Sequence, residues 1–139
     1  MSVDVVEHTY YISKLTKLQL KRGHNLSVFK ITSLEKVLDI LERGQTCAIP
    51  TETVYGLAAS IDNPLAIRQI FALKERPVNH PLIIHASSLI MIERYAHLTD
   101  LAREIGQRFW PGPLTLILPK KDSVPTEVTG GLLTVGVRI

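Results

Sequence analysis

The sequence predicts one α/β domain in which helices cover a β-sheet, and three observations lead to this fold class. Short apolar runs that fit buried strands alternate along the chain with segments whose apolar residues repeat at helical spacing. The chain has 139 residues, of which 45% are apolar, so it can bury one hydrophobic core and is too short to expect two domains. No internal repeat or low-complexity segment interrupts this pattern.

The start of the chain differs from the rest in its mixed charge and weak apolar periodicity. It ends in the basic, turn-prone stretch LKRGHN. We therefore expect residues 1–25 to form an amino-terminal extension of uncertain order and residues 26–139 to form the domain.

The first elements of the domain follow from helix caps and breaks. TSLEKVLDILERG predicts a helix with Ser33 as its N-cap and Gly44 as its end. TCAIPT predicts a short buried strand, and Gly56 opens a turn-rich segment after it. NPLAIRQIFALKER predicts the next helix, with Asn63 as its N-cap and Pro77 beyond its end.

The second half of the chain repeats the alternation of strands and helices. PLIIH predicts a strand, and TDLAREIGQRFW predicts an amphipathic helix that is capped by Thr99 or Asp100 and stopped by Pro111. Trp110 is expected to anchor the rigid Pro-Gly-Pro turn that follows. LTLILP and LLTVGVRI predict two further strands, with the polar connection KKDSVPTEVTGG between them.

The composition limits the classes of function. Sixteen Lys and Arg stand against 13 Asp and Glu, a mildly basic balance that fits an anionic ligand or RNA without deciding between them. No apolar run reaches the ~20 residues of a membrane span, and the first residues contain no apolar signal core. The lone cysteine, Cys47, predicts a buried strand thiol and a reducing compartment, so we expect a cytoplasmic protein with no membrane partner.

Two cations in the stretch KERP, Lys74 and Arg76, lie at the end of a predicted helix. Cations at that end interact favourably with the helix dipole, which is the structural interpretation. The alternative is that the pair binds a polyphosphate, because an Arg offers a fork to phosphate oxygens and a Lys offers a point charge. The stretch PTETVYGL likewise fits a self-bonded turn or a pocket wall that includes Thr53.

Polar residues also end two predicted strands. His85 closes one of them, either as a structural residue or as a hydrogen-bond partner of a small ligand. Arg138 interrupts an apolar strand, so it lies at the sheet edge or pairs with an anion, for which a carboxylate is the sharper hypothesis. The sequence contains no metal-ligand cluster, no G-x-x-x-x-G-K-[ST] and no G-x-G-x-x-G.

Five stretches resemble, in the same order, the YrdC-like family of L-threonylcarbamoyladenylate synthases: IPTETVYGLAA, IFALKERPVNHPLIIH, FWPGPLTLIL, VPTEVTGG and TVGVRI. The resemblance implies an open α/β fold, a twisted mixed sheet with flanking helices whose concave, positively charged face holds the site. It implies the condensation of L-threonine, bicarbonate and ATP to L-threonylcarbamoyladenylate and pyrophosphate, for the modification of adenosine at position 37 of tRNA.

The resemblance also implies roles for individual residues. Thr53, His85 and Arg138 would contact L-threonine, and Arg138 would take its carboxylate. Lys74 and Arg76, the K-x-R of the family, would hold the ATP phosphates and supply the positive charge for catalysis.

Two further residues and a metal ion belong to the implied nucleotide site. Thr134 would lie near the nucleotide, and His80 would contact ATP at a position where relatives carry Asn. Mg2+ bound to the phosphates would share their negative charge. The implied macromolecular partners are tRNA or double-stranded RNA and the tRNA threonylcarbamoyl-transfer machinery.

One departure from the family pattern concerns the end of the chain. Family members continue beyond V-R-x-P to a Ser-x-Asn motif that completes the nucleotide site, whereas this chain stops at GVRI. We therefore expect a truncated YrdC-like fold that makes little or no product by itself. The alternatives are a catalytically incomplete YrdC-like module that binds double-stranded RNA, and the carbamoyl-transfer domain of hydrogenase-maturation proteins.

Overall fold

The structure, a computed structural model, describes residues 5–9, 34–51 and 55–139, with the backbone alone described at 5–9 and 34. The described chain forms β1 (Val5–Thr9), α1 (Leu34–Glu42), β2 (Cys47–Pro50), β3 (Tyr55–Ser60), α2 (Pro64–Lys74), β4 (Ile83–His85), α3 (Leu89–Ile92), α4 (Asp100–Phe109), β5 (Leu116–Pro119), α5 (Thr126–Thr129) and β6 (Thr134–Arg138). Within these ranges no helix combines the length and the apolar character needed to cross a membrane.

The six strands form one sheet in the order β2-β3-β1-β4-β6-β5. β4 and β6 run parallel, and every other neighbouring pair is antiparallel. The α/β class and the mixed sheet that the sequence predicts are therefore confirmed.

The position of β1 differs from the expected extension. Val5–Thr9 pairs with β3 along one edge and with β4 along the other, so these five residues lie inside the sheet. The stretch gives a weak local signal because Glu7 and His8 interrupt its apolar residues, and its pairing depends on backbone hydrogen bonds to segments far along the chain. Val5–Thr9, which falls in the expected extension of uncertain order, is thus a strand of the sheet, and the domain boundary between residues 25 and 26 stays a prediction.

The strand β3 also replaces a predicted turn-rich segment. Gly, Ala and Ser fill most of its sequence, YGLAAS, and these residues have little intrinsic preference for strands. Tertiary packing decides the conformation here, since five of its six residues are buried and it pairs with strands on both sides.

The predicted helix ends at Asn63, Thr99 and Gly44 are confirmed, whereas the predicted N-cap Ser33 lies outside the described residues. The Asn63 side chain accepts a hydrogen bond from Ala66 N at 3.0 Å at the start of α2, and Thr99 Oγ1 accepts one from Ala102 N at 3.2 Å at the start of α4. Gly44, with φ of 70°, follows the end of α1. Each cap satisfies a backbone group that the first or last turn of a helix leaves without an intrahelical partner.

Apolar side chains pack on both faces of the sheet, and β3 separates two clusters because its side chains alternate. The larger cluster includes Leu57 and Ala59 of β3, Ile84 and Val137 of the central strands, and residues of α2, α3, α4 and α5. The smaller cluster lies on the opposite face and contains Val37, Ile40 and Leu41 of α1 with Cys47 and Ala58.

Among the described residues, α1 covers the face opposite the larger cluster at the β2–β3 end. At β4, β6 and β5 this face is more accessible, as the side chain of Ile117 shows with 67% exposure. Strand alternation assigns seven residues to this part of the sheet, which we call the open face: Ile83, His85, Ile117, Pro119, Thr134, Gly136 and Arg138.

Candidate functional site

Two predicted threonine-binding residues, His85 and Arg138, lie side by side on the open face. They are register partners on the parallel strands β4 and β6, whose backbones are about 4.8 Å apart. Both side chains are half-buried, while their chain neighbours Ile84 and Val137 are fully buried in the larger cluster. The pair therefore stands at the carboxyl ends of two parallel strands, where open α/β sheets bind ligands.

The turn after α4 fixes the position of Arg138. An Nη atom of Arg138 donates to the carbonyl of Gly112 at 3.3 Å, and Gly112 N donates back to the carbonyl of Ile139 at 2.9 Å. A Cβ atom at Gly112 would lie 2.5 Å from the carbonyl oxygen of Phe109, so this close turn requires glycine. The indole of Trp110 anchors the turn, as predicted, by donating to the carbonyl of Leu114 at 2.7 Å.

The predicted phosphate-binding residues occupy the end of α2 and the loop after it. Lys74 is 9% exposed on the buried stripe of the helix. Glu75 takes a left-handed conformation with φ of 52°, which ends the helix and directs Arg76 into the loop. Arg76 Nε donates to Nδ1 of His80 at 3.1 Å, and partial burial lowers the pKa of the Arg76 guanidinium by desolvation.

The segment VPTEVTGG packs against this loop. Gly130 has φ of 60°, and a Cβ atom there would lie 2.4 Å from the carbonyl oxygen of Asn79. Leu82 N donates to the carbonyl of Val128 at 2.8 Å. The backbone of α5 and its C-cap thus contact residues 79–82, the segment that leads into β4.

An ion pair joins the same segment to α2. Arg68 of α2 lies 2.7 Å from Glu127 of α5, and its hydrogen bond lowers the pKa of the Glu127 carboxyl. The pair is partly exposed, so its contribution to stability is under about 1 kcal/mol. Its geometric effect is to connect the helix that carries Lys74 with the segment that supports the loop.

Thr134 lies at the other end of β6 from Arg138. It is half-buried, pairs with Pro119 of β5 and shares the open face with Arg138, four residues and about 13 Å further along the strand. The structure therefore divides the predicted site into two parts. The carboxyl-end pair is His85 and Arg138. The amino-end group is Thr134, at the amino end of β6, together with Lys74, Arg76 and His80, which precede β4 in the chain.

Two further predictions, for Thr53 and Cys47, have different outcomes. Thr53 lies outside the described residues. Cys47 is a buried strand thiol, as predicted, and burial raises its pKa to about 11, which excludes a thiolate nucleophile at neutral pH. In the described ranges no group of three or more His, Cys, Asp or Glu is placed to hold a metal ion.

The sequence does not point to Ser60, a polar residue in the row of register partners that runs across the sheet through His85 and Arg138. Ser60 is 9% exposed, and Val5 of β1 pairs with Ser60 on one side and with His85 on the other. The hydroxyl therefore belongs to the same face of the sheet as His85, two strands away. No local pattern reveals this, because it depends on β1 and β3, the two strands that the sequence does not predict.

Comparisons with known proteins agree with the fold and with the order of the motifs. A family model named Sua5_yciO_yrdC, with the description "Telomere recombination", matches residues 39–139. The chain is 48% identical over 100 residues to a threonylcarbamoyl-AMP synthase of Pyrococcus abyssi, and the match covers 71% of this chain and 29% of that protein. It is 42% identical over 102 residues to the Bacillus subtilis threonylcarbamoyl-AMP synthase, of which it spans 30%.

The structural comparison gives the same result. The crystal structure of Pyrococcus abyssi Sua5 complexed with L-threonine superposes with a TM-score of 0.72 and 46% sequence identity. The superposition covers 75% of this chain and 31% of that one. The chain thus spans about a third of that protein and resembles it in both sequence and fold.

Proposed function

Because the chain belongs to the Sua5/YciO/YrdC family, we propose that it takes part in making threonylcarbamoyl-AMP from L-threonine, bicarbonate and ATP. The observation that carries this proposal is the register of β4 and β6, which pairs His85 with Arg138 on the open face. An imidazole beside a guanidinium, next to an accessible sheet surface, suits a small amino acid with a carboxylate.

In the proposed complex, L-threonine occupies the carboxyl-end pair. The Arg138 guanidinium binds the carboxylate, and His85 forms a hydrogen bond with a polar group of the same molecule. Support comes from the structure of the Pyrococcus abyssi relative, which is described as complexed with L-threonine. Thr53 would complete this subsite.

ATP occupies the amino-end group in the same proposal. Lys74 and Arg76 neutralise the phosphates, His80 belongs to the same site, and Thr134 lies near the nucleotide. Mg2+ enters with the ATP phosphates as part of the substrate and shares their charge. The two substrates would then meet over the open face between the ends of β4 and β6.

The reaction requires charge neutralisation and alignment rather than a protein nucleophile. Bicarbonate loses hydroxide to give CO2, the threonine amine adds to the CO2 carbon, and the proton that the amine loses combines with the hydroxide, so a carbamate and water result. A carbamate oxygen attacks the α-phosphorus of ATP, the bond to the β-phosphate oxygen breaks, and pyrophosphate leaves. The nucleophile and the phosphates are all anionic, so cations held in place beside them lower the barrier.

The product would serve the threonylcarbamoyl modification at position 37 of tRNA. The proposed partners are therefore tRNA and the tRNA threonylcarbamoyl-transfer machinery, and the proposed location is the cytoplasm. The net charge of +3 is compatible with an RNA partner.

Calorimetric titration with L-threonine and with ATP tests the proposal. Arg138→Ala should weaken L-threonine binding at least tenfold and leave ATP affinity within about threefold, whereas Arg76→Ala should do the reverse, because a hydrogen bond to a charged group contributes about 1.5–3 kcal/mol. Arg108→Ala, which removes an exposed cation of α4, is the matched control and should change neither affinity. A wild-type chain that binds neither ligand, or variants that lose both together, would contradict the proposal.

A further inference from the structure

A side-chain contact in the loop between α2 and β4 has no part in the proposed chemistry. Arg76 Nε donates to Nδ1 of His80 at 3.1 Å. In this contact the imidazole Nδ1 is the acceptor, and a ring nitrogen accepts through its lone pair. The contact is therefore a hydrogen bond between a cation and a neutral acceptor, and it leaves the positive charge of Arg76 uncompensated by His80.

The geometry of this bond matters because a guanidinium has a fixed shape. Its five N–H groups lie in one plane, and the Nε–H group points to a different edge of that plane from the two terminal nitrogens. An acceptor on Nε therefore sets the rotation of the whole group about the end of the side chain. With Nε occupied by His80, the terminal nitrogens retain the donors that form a bidentate fork with phosphate oxygens.

The backbone of the loop holds the two partners at this separation. Arg76 N donates to the carbonyl of Phe71 at 3.0 Å, and His80 N donates to the carbonyl of Pro77 at 3.2 Å, which closes a tight turn. Between them Asn79 rests against Gly130. Both ends of the Arg76–His80 contact are thus attached to fixed backbone, so the contact is built into the loop.

The surroundings of Arg76 favour an anionic occupant over a purely structural role. The guanidinium is half-buried, and its desolvation lowers its pKa, whereas His80 is exposed. A partly desolvated cation is stabilised most by a negative charge, which a neutral imidazole does not provide. The loop therefore orients the cation so that, within the part of the chain that the structure describes, an anionic ligand can balance its charge.

We propose that His80 is a positioning residue that holds the Arg76 guanidinium, through its Nε–H group, in the orientation that binds an ATP phosphate. This inference rests on the proposed function and assigns His80 a role through Arg76 in place of a direct contact with the nucleotide. It applies to the nucleotide alone, since L-threonine binds at the other end of β4 and β6.

A double-mutant cycle on the full chain tests this role, with ATP affinity and L-threonine affinity measured by calorimetry. His80→Ala should weaken ATP binding about tenfold, in the range of a hydrogen bond to a charged group, and leave L-threonine affinity unchanged. The double variant His80→Ala with Arg76→Ala should bind ATP no more weakly than Arg76→Ala alone, because His80 acts only through Arg76. His97→Ala, which removes another exposed histidine, is the control and should have no effect.

A conservative variant adds a second criterion. The side-chain oxygen of His80→Asn can accept from Arg76 Nε, so this variant should recover most of the ATP affinity that His80→Ala loses. Additive losses in the cycle would overturn the inference, because they would mean that His80 contacts ATP itself. Equal losses in His80→Ala and His80→Asn would also overturn it.

The experiment separates this inference from the proposed function. If the wild-type chain binds both ligands and His80→Ala binds them equally well, the role of His80 is overturned and the proposed function is not. A wild-type chain that binds no ATP overturns the proposed function and this role together. The Arg76 Nε–H resonance in the nucleotide-free protein provides an independent readout, since it should shift in His80→Ala and stay in place in His97→Ala.

Discussion

The two ends of the β4–β6 pair carry different parts of the candidate site and are built in different ways. At the carboxyl end, His85 and Arg138 are placed by strand register, with fully buried Ile84 and Val137 beneath them. At the amino end, Arg76 and His80 are placed by a loop. A ladder of backbone hydrogen bonds over a packed core moves less than a loop does, so the carboxyl end is the stiffer of the two.

The difference has a chemical counterpart. In the proposed complex the L-threonine subsite obtains its fixed geometry from strand register, whereas the ATP subsite obtains it from hydrogen bonds within the loop. Changes under the carboxyl end should therefore destabilise the whole domain. Changes in the amino-end loop should act more locally.

The largest expected effect comes from the core beneath the carboxyl-end pair. Ile84→Ala removes a fully buried side chain between Ile83 and His85 and should lower the free energy of unfolding by about 2–5 kcal/mol. Denaturant unfolding followed by Trp110 fluorescence measures this loss. The matched control is Ile83→Ala on the open face, where the side chain is half-buried, and a loss there as large as that of Ile84→Ala would contradict the comparison.

A smaller loss is expected where the amino-end loop rests on the chain below it. Gly130→Ala combines a left-handed backbone with a Cβ atom 2.4 Å from the Asn79 carbonyl oxygen, and should lower the free energy of unfolding by about 2–3 kcal/mol. Gly131→Ala shares the positive φ but would place its Cβ atom in open space, so it should lose only about 1 kcal/mol. Equal losses in the two variants would show that the close approach to Asn79 has no energetic effect.

A substitution at the end of α2, next to Lys74, should raise the stability of the domain instead of lowering it. Glu75→Gly replaces a residue at φ of 52° by the one residue that adopts this conformation without strain, so the free energy of unfolding should rise by about 0.5–1 kcal/mol. Thermal unfolding by circular dichroism measures the gain. Because glycine also loosens the unfolded chain and the loop, a fall in stability would mean that the entropy of the unfolded state outweighs the relief of strain.

The smallest expected effect is the pH dependence of the Arg68–Glu127 pair. Its hydrogen bond holds the folded-state pKa of Glu127 below the unfolded value, so the stabilisation is present above the unfolded pKa and is lost as the pH falls through the folded pKa. Glu127→Gln should therefore lower stability at pH 7 by about 0.5 kcal/mol and have less effect in acid. Asp122→Asn, an exposed carboxylate of the preceding turn, is the control, and an equal effect at both pH values for Glu127→Gln would contradict the assignment.

The sequence predicts the elements whose signals are local. Asn63 and Thr99 cap the helices that they are expected to cap, because the capping bond spans only three residues. The strands β4, β5 and β6 are likewise visible as apolar runs between turns. In contrast β1 and β3 consist of charged, small or mixed residues, and their conformation follows from pairing with distant strands.

The same distinction applies to the candidate site. The resemblance to a known family predicts that His85, Arg138, Lys74 and Arg76 are site residues, but it does not give their arrangement. The contact between Arg76 and His80 depends on the left-handed conformation of Glu75, which the sequence does not indicate because glycine is the usual residue there. The row that contains Ser60 depends on the placement of β1.

The central position of β1 also has a consequence for the order of folding during synthesis. Val5–Thr9 is made before both of its partners, residues 56–60 and 83–85, so its two edges can be paired only after β3 and then β4 have been made. Until β1 joins them, β2–β3 and β4–β6–β5 have no direct pairing with each other, and their free edges can attract other chains. Pairing of β1 thus joins the two parts of the sheet through contacts of long sequence separation, which form slowly, and the chain is exposed to aggregation until both edges of β1 are paired.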